Sequence, residues 1–302
     1  MSACAAFVIP TFDDDPVHLQ EAVAAAAAQE GVEVEIVVVN DGSTRADTLA
    51  ALAALPEGVA RLDQPNSGPS AARNAGIAAT TAPWVIPLDA DDRLSPDYAA
   101  RGIAALAAAP ECRFAYGFVD RFGVVSERKT PPPSVDLAAL AGGNRVGVTA
   151  VFRREDWEAV GGYDELLRRG FEDYEFWLRL LAQLGGHGAR IDAVHEYRQK
   201  PASRRLADLG EGLARTRARV LANNPDHHHV LLAAAWERLD AAAEETQAAW
   251  DDRLQLRRWL RPVKRLIRRR SRRACAAMAG RTRKGPRDPQ DPGGLGGVSD
   301  GG

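Results

Sequence analysis

Residues 33–43, EVEIVVVNDGS, join a run of β-branched side chains to a cluster of turn-forming residues. A continuous apolar run of this kind is typical of a strand that is buried on both faces, as in a parallel sheet. The turn cluster can end the strand and cap the helix that follows. The stretch therefore predicts a strand that runs through the interior of an α/β domain and ends at Asp41.

The segments around this strand repeat the same alternation. Apolar runs predict strands, and alanine-rich stretches between them predict helices, so that the order is strand 5–9, helix 17–29, strand 33–39, helix 46–55, strand 60–62, helix 69–79 and strand 84–88. This repetition is typical of an α/β fold with a mainly parallel sheet flanked by helices. Ligands bind at the carboxyl ends of such strands, where we expect Asp41 and Asp89.

In the second half of the chain the regular alternation of strands and helices ends. Residues 111–150 are expected to be less regular, helices are predicted at 154–160, 174–184, 203–223 and 230–250, and a short strand is predicted at 191–194. We therefore divide the chain into an α/β domain, a helical extension, a basic arm and a disordered Gly/Pro-rich tail. Their respective bounds are 1–205, 206–252, 253–287 and 288–302.

The net charge of the 302-residue chain is −2, but this sum hides a split. Residues 253–287 hold 15 basic and no acidic residues, whereas residues 1–252 carry a net charge of −14. An acidic body joined to a basic arm calls for two separate functional explanations.

Several classes of protein are disfavoured by the composition. No run reaches the roughly 18 apolar residues that a membrane span needs, and the N-terminus lacks the cationic region of a signal peptide. The three cysteines lie far apart, which disfavours a disulfide framework and a cysteine-type zinc site. We expect a cytoplasmic protein.

The turn LDADD at residues 88–92 is the sharpest candidate for chemistry. Asp89 and Asp91 alternate along an extended backbone, so their side chains can lie on the same side. Two such carboxylates repel each other unless a cation lies between them. Mg²⁺ or Mn²⁺ held by one or two carboxylates and a substrate phosphate would meet this need. The alternative is a solvated acidic turn that caps the helix beginning near Ser95-Pro96.

A series of motifs in chain order resembles glycosyltransferase family 2, the inverting nucleotide-sugar transferases with the GT-A fold. The motifs are VIPTF (8–12), VVVNDGS (37–43), NSGPSAARNAG (66–76), LDADD (88–92), GGYDE (161–165) and FEDYE (171–175). The resemblance covers about residues 5–203 and implies that 1–205 is a GT-A catalytic domain.

For the donor, the resemblance implies binding by Pro10, Thr11, Asp41, Asn66, Gly68, Arg73 and Asp89, with a Mn²⁺ or Mg²⁺ ion held by Asp91 and Asp89. The carboxylate of Asp41 can accept the N–H of a uracil. The helix N-terminus after Gly68 favours phosphate, and Arg73 could add a charge-assisted contact. The alternatives are a turn or cap role for Asp41 and a surface ion pair for Arg73.

For the acceptor, the resemblance implies that Asp173 is the general base. One carboxylate must take the proton of an acceptor hydroxyl as that oxygen attacks the anomeric carbon, and Glu172 would contact the acceptor or orient the loop. The alternative is that residues 172–175 form an acidic first turn that suits the helix dipole.

The chain departs from the family pattern at the end of this domain. The family often carries Tyr-Arg, one further residue and then a histidine that helps to hold metal or diphosphate; here Lys200 takes that place after YRQ (197–199). A protonated ammonium cannot ligate a metal, but it can pair with phosphate. His195 either compensates or is an ordinary strand-end histidine. The triplet at 227–229 lacks partners with ligand spacing and is interpreted as a helix start.

The basic arm carries an apolar stripe at helical spacing between its Arg and Lys residues. The stripe consists of Leu256, Trp259, Leu260, Val263, Leu266 and Ile267. This pattern suits an interfacial helix on an anionic membrane, where each basic residue contributes about 1 kcal/mol. Docking on a partner or on the chain's own acidic body is an alternative, and the acidic body disfavours nucleic acid.

The expected function is metal-dependent inverting transfer of a sugar from a nucleotide sugar, with UDP the expected nucleotide. The acceptor would be a hydroxyl of a glycan or lipid-linked molecule in cell-envelope polysaccharide synthesis, at the inner face of a membrane. One alternative is a nucleotidyltransferase, which would need a Gly-rich, Lys-bearing loop near the N-terminus that this chain lacks. Another is a non-catalytic membrane-surface scaffold that binds nucleotide sugars.

Overall fold

The computed structural model describes residues 3–168, 170–200 and 209–247. A sheet of ten strands is flanked by helices, which confirms the predicted α/β class. The chain divides into two units, Met1–Ala241 and Ala242–Gly302. The first unit contains the whole sheet. Of the second unit, residues 242–247 are described, and they are helical.

The N-terminal elements follow the predicted order closely. They are β1 (Cys4–Thr11), α1 (Pro16–Ala27), β2 (Glu33–Asn40), α2 (Ala46–Ala53), β3 (Val59–Asp63), α3 (Pro69–Ala78) and β4 (Trp84–Pro87). The four strands are parallel neighbours in the order β3-β2-β1-β4. The parallel sheet is therefore confirmed in this half, with Asp41 just beyond β2 and Asp89 just beyond β4.

The later elements extend the sheet. They are β5 (Arg93–Leu94), α4 (Tyr98–Ala108), β6 (Cys112–Gly123), β7 (Glu127–Lys129), β8 (Ser134–Val135), α5 (Leu137–Ala141), β9 (Val151–Arg153), α6 (Arg154–Ala159), α7 (Glu172–Leu184), β10 (His187–Gln199) and α8 (Leu209–Asn223). A 3-10 turn at Pro225–His227 leads into a helix that includes residues 228–247. The predicted helix start at the histidine triplet is confirmed.

Beyond β4 the sheet becomes mixed. Its order continues β9-β6-β10-β5, with β7 on the side of β6 and β8 on the side of β10. Strand β9 is antiparallel to both β4 and β6, and β6 is parallel to β10. The helices predicted at 203–223 and 230–250 are observed at 209–223 and 228–247, and the remainder of each lies outside the described residues.

One prediction about this half was wrong, and another was right about the strand but too short. The segment 111–150 begins with a 12-residue strand, β6, and the strand predicted at 191–194 is the middle of the 13-residue β10. Gly117 interrupts the apolar run of β6, yet it is needed there, because a Cβ atom would lie 2.4 Å from the carbonyl oxygen of Ala193 on β10. Strand β10 is rich in polar residues because much of it is only half-buried.

The core lies on both faces of the sheet, as the β-branched run predicts. Val37 and Val39 of β2 face a cluster that includes Trp177 of α7, whereas Ile36 and Val38 face a second cluster with helices α1 and α4. Every second residue of the strand thus packs on the same face, and the strand is buried on both sides.

Helix α3 lies unusually close to β1 and β2. A Cβ atom at Gly76 would lie 2.4 Å from Val8 Cγ1 and 2.9 Å from Val39 Cγ2. The glycine therefore sets the distance between the helix and the sheet, and with it the position of the helix start.

We predict that Gly76→Ala lowers the free energy of unfolding by about 2 kcal/mol. Overpacking against buried β-branched side chains costs up to about 3 kcal/mol. The higher helix propensity of alanine offsets about 1 kcal/mol of this cost. Gly147→Ala is the control, because no atom lies within 4 Å of its added Cβ. Urea unfolding of the three proteins measures the effect, and equal losses in both variants would contradict this account of α3.

Candidate active site

The acid turn, residues 88–92, gathers three carboxylates at the carboxyl end of β4. The Leu88 N–H donates to the Val8 carbonyl at 3.0 Å, and the Asp92 N–H donates to the Asp89 carbonyl at 3.1 Å. These bonds extend the strand and close the turn. One carboxylate oxygen from each of Asp89, Asp91 and Asp92 lies within 4.8 Å of the others, a set of hard oxygen donors of the kind that Mg²⁺ and Mn²⁺ prefer.

Asp92 is the buried anchor of this turn. Its Oδ2 lies 2.7 Å from Nε2 of His195, and its Oδ1 accepts the backbone N–H of Arg198 at 2.8 Å. Burial raises the pKa of Asp92 although the two partners oppose the shift. Both oxygens are thus committed to β10, and His195 acts as the partner of a buried carboxylate at the strand end.

Lys200 lies against Asp91, at the end of β10. Its Nζ is 2.8 Å from Asp91 Oδ2 and 3.4 Å from Asp14 Oδ1 in the loop after β1. Burial, with Asp92 and Asp89 adding to it, raises the pKa of Asp91 to about 6, although Lys200 opposes the rise. Burial lowers the pKa of Lys200, but the two carboxylates outweigh this and raise it above its ordinary value.

Arg73 connects the acid turn to the start of α7. Its two terminal nitrogens donate to Asp89 Oδ1 at 2.8 Å and to Glu172 Oε1 at 2.7 Å. The side chain is 3% exposed, so the surface ion pair weighed for Arg73 is wrong. Burial lowers its pKa, but Asp89 and Glu172 outweigh burial and raise the pKa above its ordinary range. Arg73 therefore stays charged and holds two loops together.

The first turn of α7 brings Glu172 and Asp173 into this cluster. Gly170 and Phe171 both have positive φ angles, 102° and 66°, and such a conformation costs a non-glycine residue about 1–3 kcal/mol. Burial, with Asp173 adding to it, raises the pKa of Glu172 against the pull of Arg73. Asp173 is 7% exposed, and its Oδ2 accepts a hydrogen bond from Asn144 Nδ2 at 3.2 Å.

Tyr163 and Asn144 lie in the site but were not predicted from the sequence. The Tyr163 hydroxyl is buried, and within the described residues it has no hydrogen-bond partner. Burial is the main cause of the raised pKa of Tyr163. Arg73 opposes the rise, and three carboxylates add to it: Asp173, Glu172 and Asp89. Tyr163 thus lies among the charged groups of both loops. The GGYDE motif pointed to its loop but gave no reason to select the tyrosine.

Just beyond β2, Asp41 anchors the loop of residues 64–68. Its Oδ1 accepts the Ser67 N–H and Nε2 of Gln64, both at 2.8 Å, and its Oδ2 accepts the Gly68 N–H at 2.9 Å. Gly68, with φ 92°, is the N-cap of α3. The carboxylate therefore positions the start of the helix that carries Arg73. Asp41 thus has the turn or cap role that the sequence analysis gave as an alternative.

The remaining predicted donor residues border the same loops. Thr11 is buried at the end of β1, and its hydroxyl donates to Asp14 Oδ2 at 3.2 Å. Pro10 is partly buried and Asn66 is exposed. Asn66 comes close to Gly42, where a Cβ would meet the Asn66 nitrogen at 2.7 Å, so this glycine lets the two loops touch.

Helix α8 supports the GGYDE loop and helix α7. Arg219 and Asn223 donate to Asp164 Oδ2 at 2.7 and 2.9 Å, and Asn223 also donates to Glu175 Oε1 at 2.9 Å. Glu175 is fully buried and pairs with Arg179 one turn later. The helix thus fastens both the GGYDE loop and α7 through one polar network.

Among the helices of the described residues, none combines the length and apolar character needed to cross a membrane. The basic arm, 253–287, and the tail, 288–302, lie outside the described residues.

Comparison with known proteins gives a consistent result. The sequence profile described as Glycosyl transferase family 2 matches residues 6–163, more than half of the chain. The chain is 35% identical over 198 residues to succinoglycan biosynthesis protein ExoU of Rhizobium meliloti (strain 1021), covering 57% of this chain and 54% of ExoU. It is 51% identical over 79 residues to succinoglycan biosynthesis protein ExoO of the same organism, covering 25% of this chain and 22% of ExoO. The chain thus spans about half of one relative and about a fifth of the other.

Among solved structures, S. aureus TarS 1–349 in complex with UDP superposes with a TM-score of 0.58. The sequence identity is 16%, and the match covers 78% of this chain and 70% of that chain. The likeness is one of fold, and it confirms the GT-A architecture expected for the α/β domain.

We predict that Arg73→Met lowers the free energy of unfolding by about 3–5 kcal/mol, because removing one partner leaves the buried Glu172 carboxylate and the half-buried Asp89 without a counter-charge. The double variant Arg73→Met with Glu172→Gln should recover a measurable part of this loss, since the buried acid is then neutral. Chemical unfolding of the wild type, both single variants and the double variant forms the test. Strictly additive losses would contradict the direct coupling of these two side chains.

Proposed function

The chain belongs to glycosyltransferase family 2, and on this premise we propose that it transfers a sugar, with inversion and with a divalent metal, from a nucleotide sugar to a hydroxyl group. The observation that carries the proposal is the buried bridge of Arg73 between Asp89 and Glu172. It places the acid turn beside the first turn of α7, so that groups suited to a diphosphate and to an acceptor adjoin.

The donor would lie along the loops that follow β1, β2 and β3. Asp41 accepts one hydrogen bond on Oδ2, and a carboxylate oxygen has lone pairs for a further donor such as a uracil N–H. Pro10, Thr11, Asn66 and Gly68 would border the nucleotide. UDP is the proposed nucleotide on the strength of this carboxylate.

The metal would be held by Asp91 and by Asp89. Asp92 is committed to β10 and Asp89 Oδ1 to Arg73, so within the described residues Asp91 and the second oxygen of Asp89 are the donors that suit an ion completed by phosphate and water. A bound Mg²⁺ or Mn²⁺ would stabilise the negative charge of the departing diphosphate. Arg73 would hold Asp89 in place throughout the reaction.

Asp173 would act as the general base. Its carboxylate takes the proton of the acceptor hydroxyl while that oxygen bonds to the anomeric carbon and the bond from that carbon to the diphosphate breaks. Asn144 donates to one of its oxygens and would orient it. Glu172, held by Arg73, would position the loop and the acceptor.

The acceptor is proposed to belong to cell-surface polysaccharide synthesis. Two relatives are named as succinoglycan biosynthesis proteins, and this name supports a hydroxyl on a growing glycan or a lipid-linked glycan. The basic arm supports the same setting, because 15 basic residues without an acid would draw the chain to an anionic membrane.

We predict that a panel of UDP-sugars with Mn²⁺ and a membrane extract gives UDP release by the wild type. Asp173→Asn should reduce this release by about 10²–10⁴-fold, the usual contribution of a general base, while UDP still binds. Asp91→Ala should abolish release through the loss of a proposed metal ligand. The control is Asp192→Asn, an exposed carboxylate on β10.

Unchanged release in Asp173→Asn would contradict the assignment of the base. If the wild type binds UDP but releases none from any donor, the result favours the non-catalytic scaffold. Release of pyrophosphate instead of UDP would favour a nucleotidyltransferase.

We predict that the full chain sediments with vesicles that contain phosphatidylglycerol and does not sediment with phosphatidylcholine alone. Replacement of the arginines of the arm by glutamine should abolish the binding, and added salt should weaken it, because salt screens surface charges. Equal sedimentation of the wild type and the variant would contradict a membrane role for the arm.

A further inference from the structure

Lys200 lies between the loop after β1 and the acid turn. Its Nζ lies 2.8 Å from Asp91 Oδ2 and 3.4 Å from Asp14 Oδ1. We propose that Lys200 is an exchangeable counter-charge: a divalent ion displaces its ammonium from Asp91, and the ammonium then binds the diphosphate of the donor. The inference rests on the proposed function and adds a role for this chain's own lysine.

Competition for Asp91 follows from the geometry. A divalent ion would lie about 2.1 Å from a carboxylate oxygen, and the ammonium lies 2.8 Å from the same group. Two cations that share one oxygen would repel each other at short range. Asp92 is committed to β10 and Asp89 Oδ1 to Arg73, so an ion at this turn would need Asp91 beside the second oxygen of Asp89. An ion that binds Asp91 Oδ2 therefore competes with the Lys200 ammonium for this oxygen.

After displacement from Asp91, the ammonium can remain near Asp14. Asp14 is held by its neighbours, because Thr48 Oγ1 donates to the Asp14 carbonyl at 2.7 Å and Thr11 Oγ1 to its Oδ2 at 3.2 Å. Asp14 would keep Lys200 close to the end of β1. The Lys200 side chain is 48% exposed, so it can move without disturbing the core.

The diphosphate of the donor would lie at this position. A donor held by the loop after β1 and by the turn after β4 must place its phosphates between them, where Lys200 already bridges Asp14 and Asp91. Arg73 is less suited to this role, because its side chain is buried and its two terminal nitrogens already donate to Glu172 and Asp89. An ammonium can pair with phosphate as a mobile point charge.

The proposal predicts effects of opposite sign for one substitution. Lys200→Met should bind Mn²⁺ alone about two- to fivefold more tightly, the range expected from the loss of a partly exposed ion pair. At saturating Mn²⁺, it should bind a nucleoside diphosphate about tenfold more weakly, as for a lost charge-assisted hydrogen bond. Lys200→Arg keeps the charge and should stay close to the wild type in its affinity for Mn²⁺.

The experiment measures free Mn²⁺ by electron paramagnetic resonance and the binding of UDP, GDP and ADP by calorimetry, with the full chain. Lys129→Met is the matched control, because Lys129 is exposed on β7 and its loss changes the net charge equally. The control should leave both affinities unchanged, and thermal unfolding should show that all variants remain folded.

A Mn²⁺ affinity in Lys200→Met that is unchanged or weaker overturns the competition, and an unchanged diphosphate affinity overturns the transfer to phosphate. Either result leaves the proposed function standing. A wild type that binds neither Mn²⁺ nor any of the three nucleotides overturns the proposed function and this inference together.

Discussion

The buried guanidinium of Arg73 is the constraint on which the rest of the site depends. A charge removed from water is stable only when it is paired and hydrogen-bonded. The two terminal nitrogens of Arg73 pair with one carboxylate of the acid turn, Asp89, and one at the first turn of α7, Glu172. Helix α3 can present the arginine there because Gly76 lets the helix approach the sheet and Asp41 holds its first turn through Gly68. One ion-pair network thus joins α3, the acid turn and α7.

The three neighbouring acids of the turn have different partners. Asp92 gives both oxygens to β10 and fixes the turn, Asp89 gives one oxygen to Arg73, and Asp91 faces the exposed ammonium of Lys200. Burial and mutual repulsion would make such a cluster costly. The surrounding cations offset this cost, and under the proposed function Asp91 is the acid whose partner, Lys200, would exchange for a divalent ion.

The parts of the fold that depend on local pattern could be predicted, and the parts that depend on pairing could not. The β-branched run ending at Asp41 and the strand ending before Asp89 carry their own signals, so both acids were placed correctly at the carboxyl edge. Strand β6 was missed because Gly117 makes sense only next to Ala193 of β10. The partnership of Arg73 with Glu172 spans 99 residues, and no local spacing reveals it. Lys200 stood out as a departure from the family pattern, but its contact with Asp91 needed the structure.

The most direct test of this account is a crystal structure of the chain with UDP and Mn²⁺, using the anomalous scattering of manganese to locate the ion. The account predicts one manganese peak bonded to Asp91, with the diphosphate on the ion, Lys200 moved from Asp91 to phosphate, and Asp173 facing the position of the sugar. A peak bonded elsewhere, or a diphosphate that lies away from the acid turn while Lys200 remains on Asp91, would contradict it.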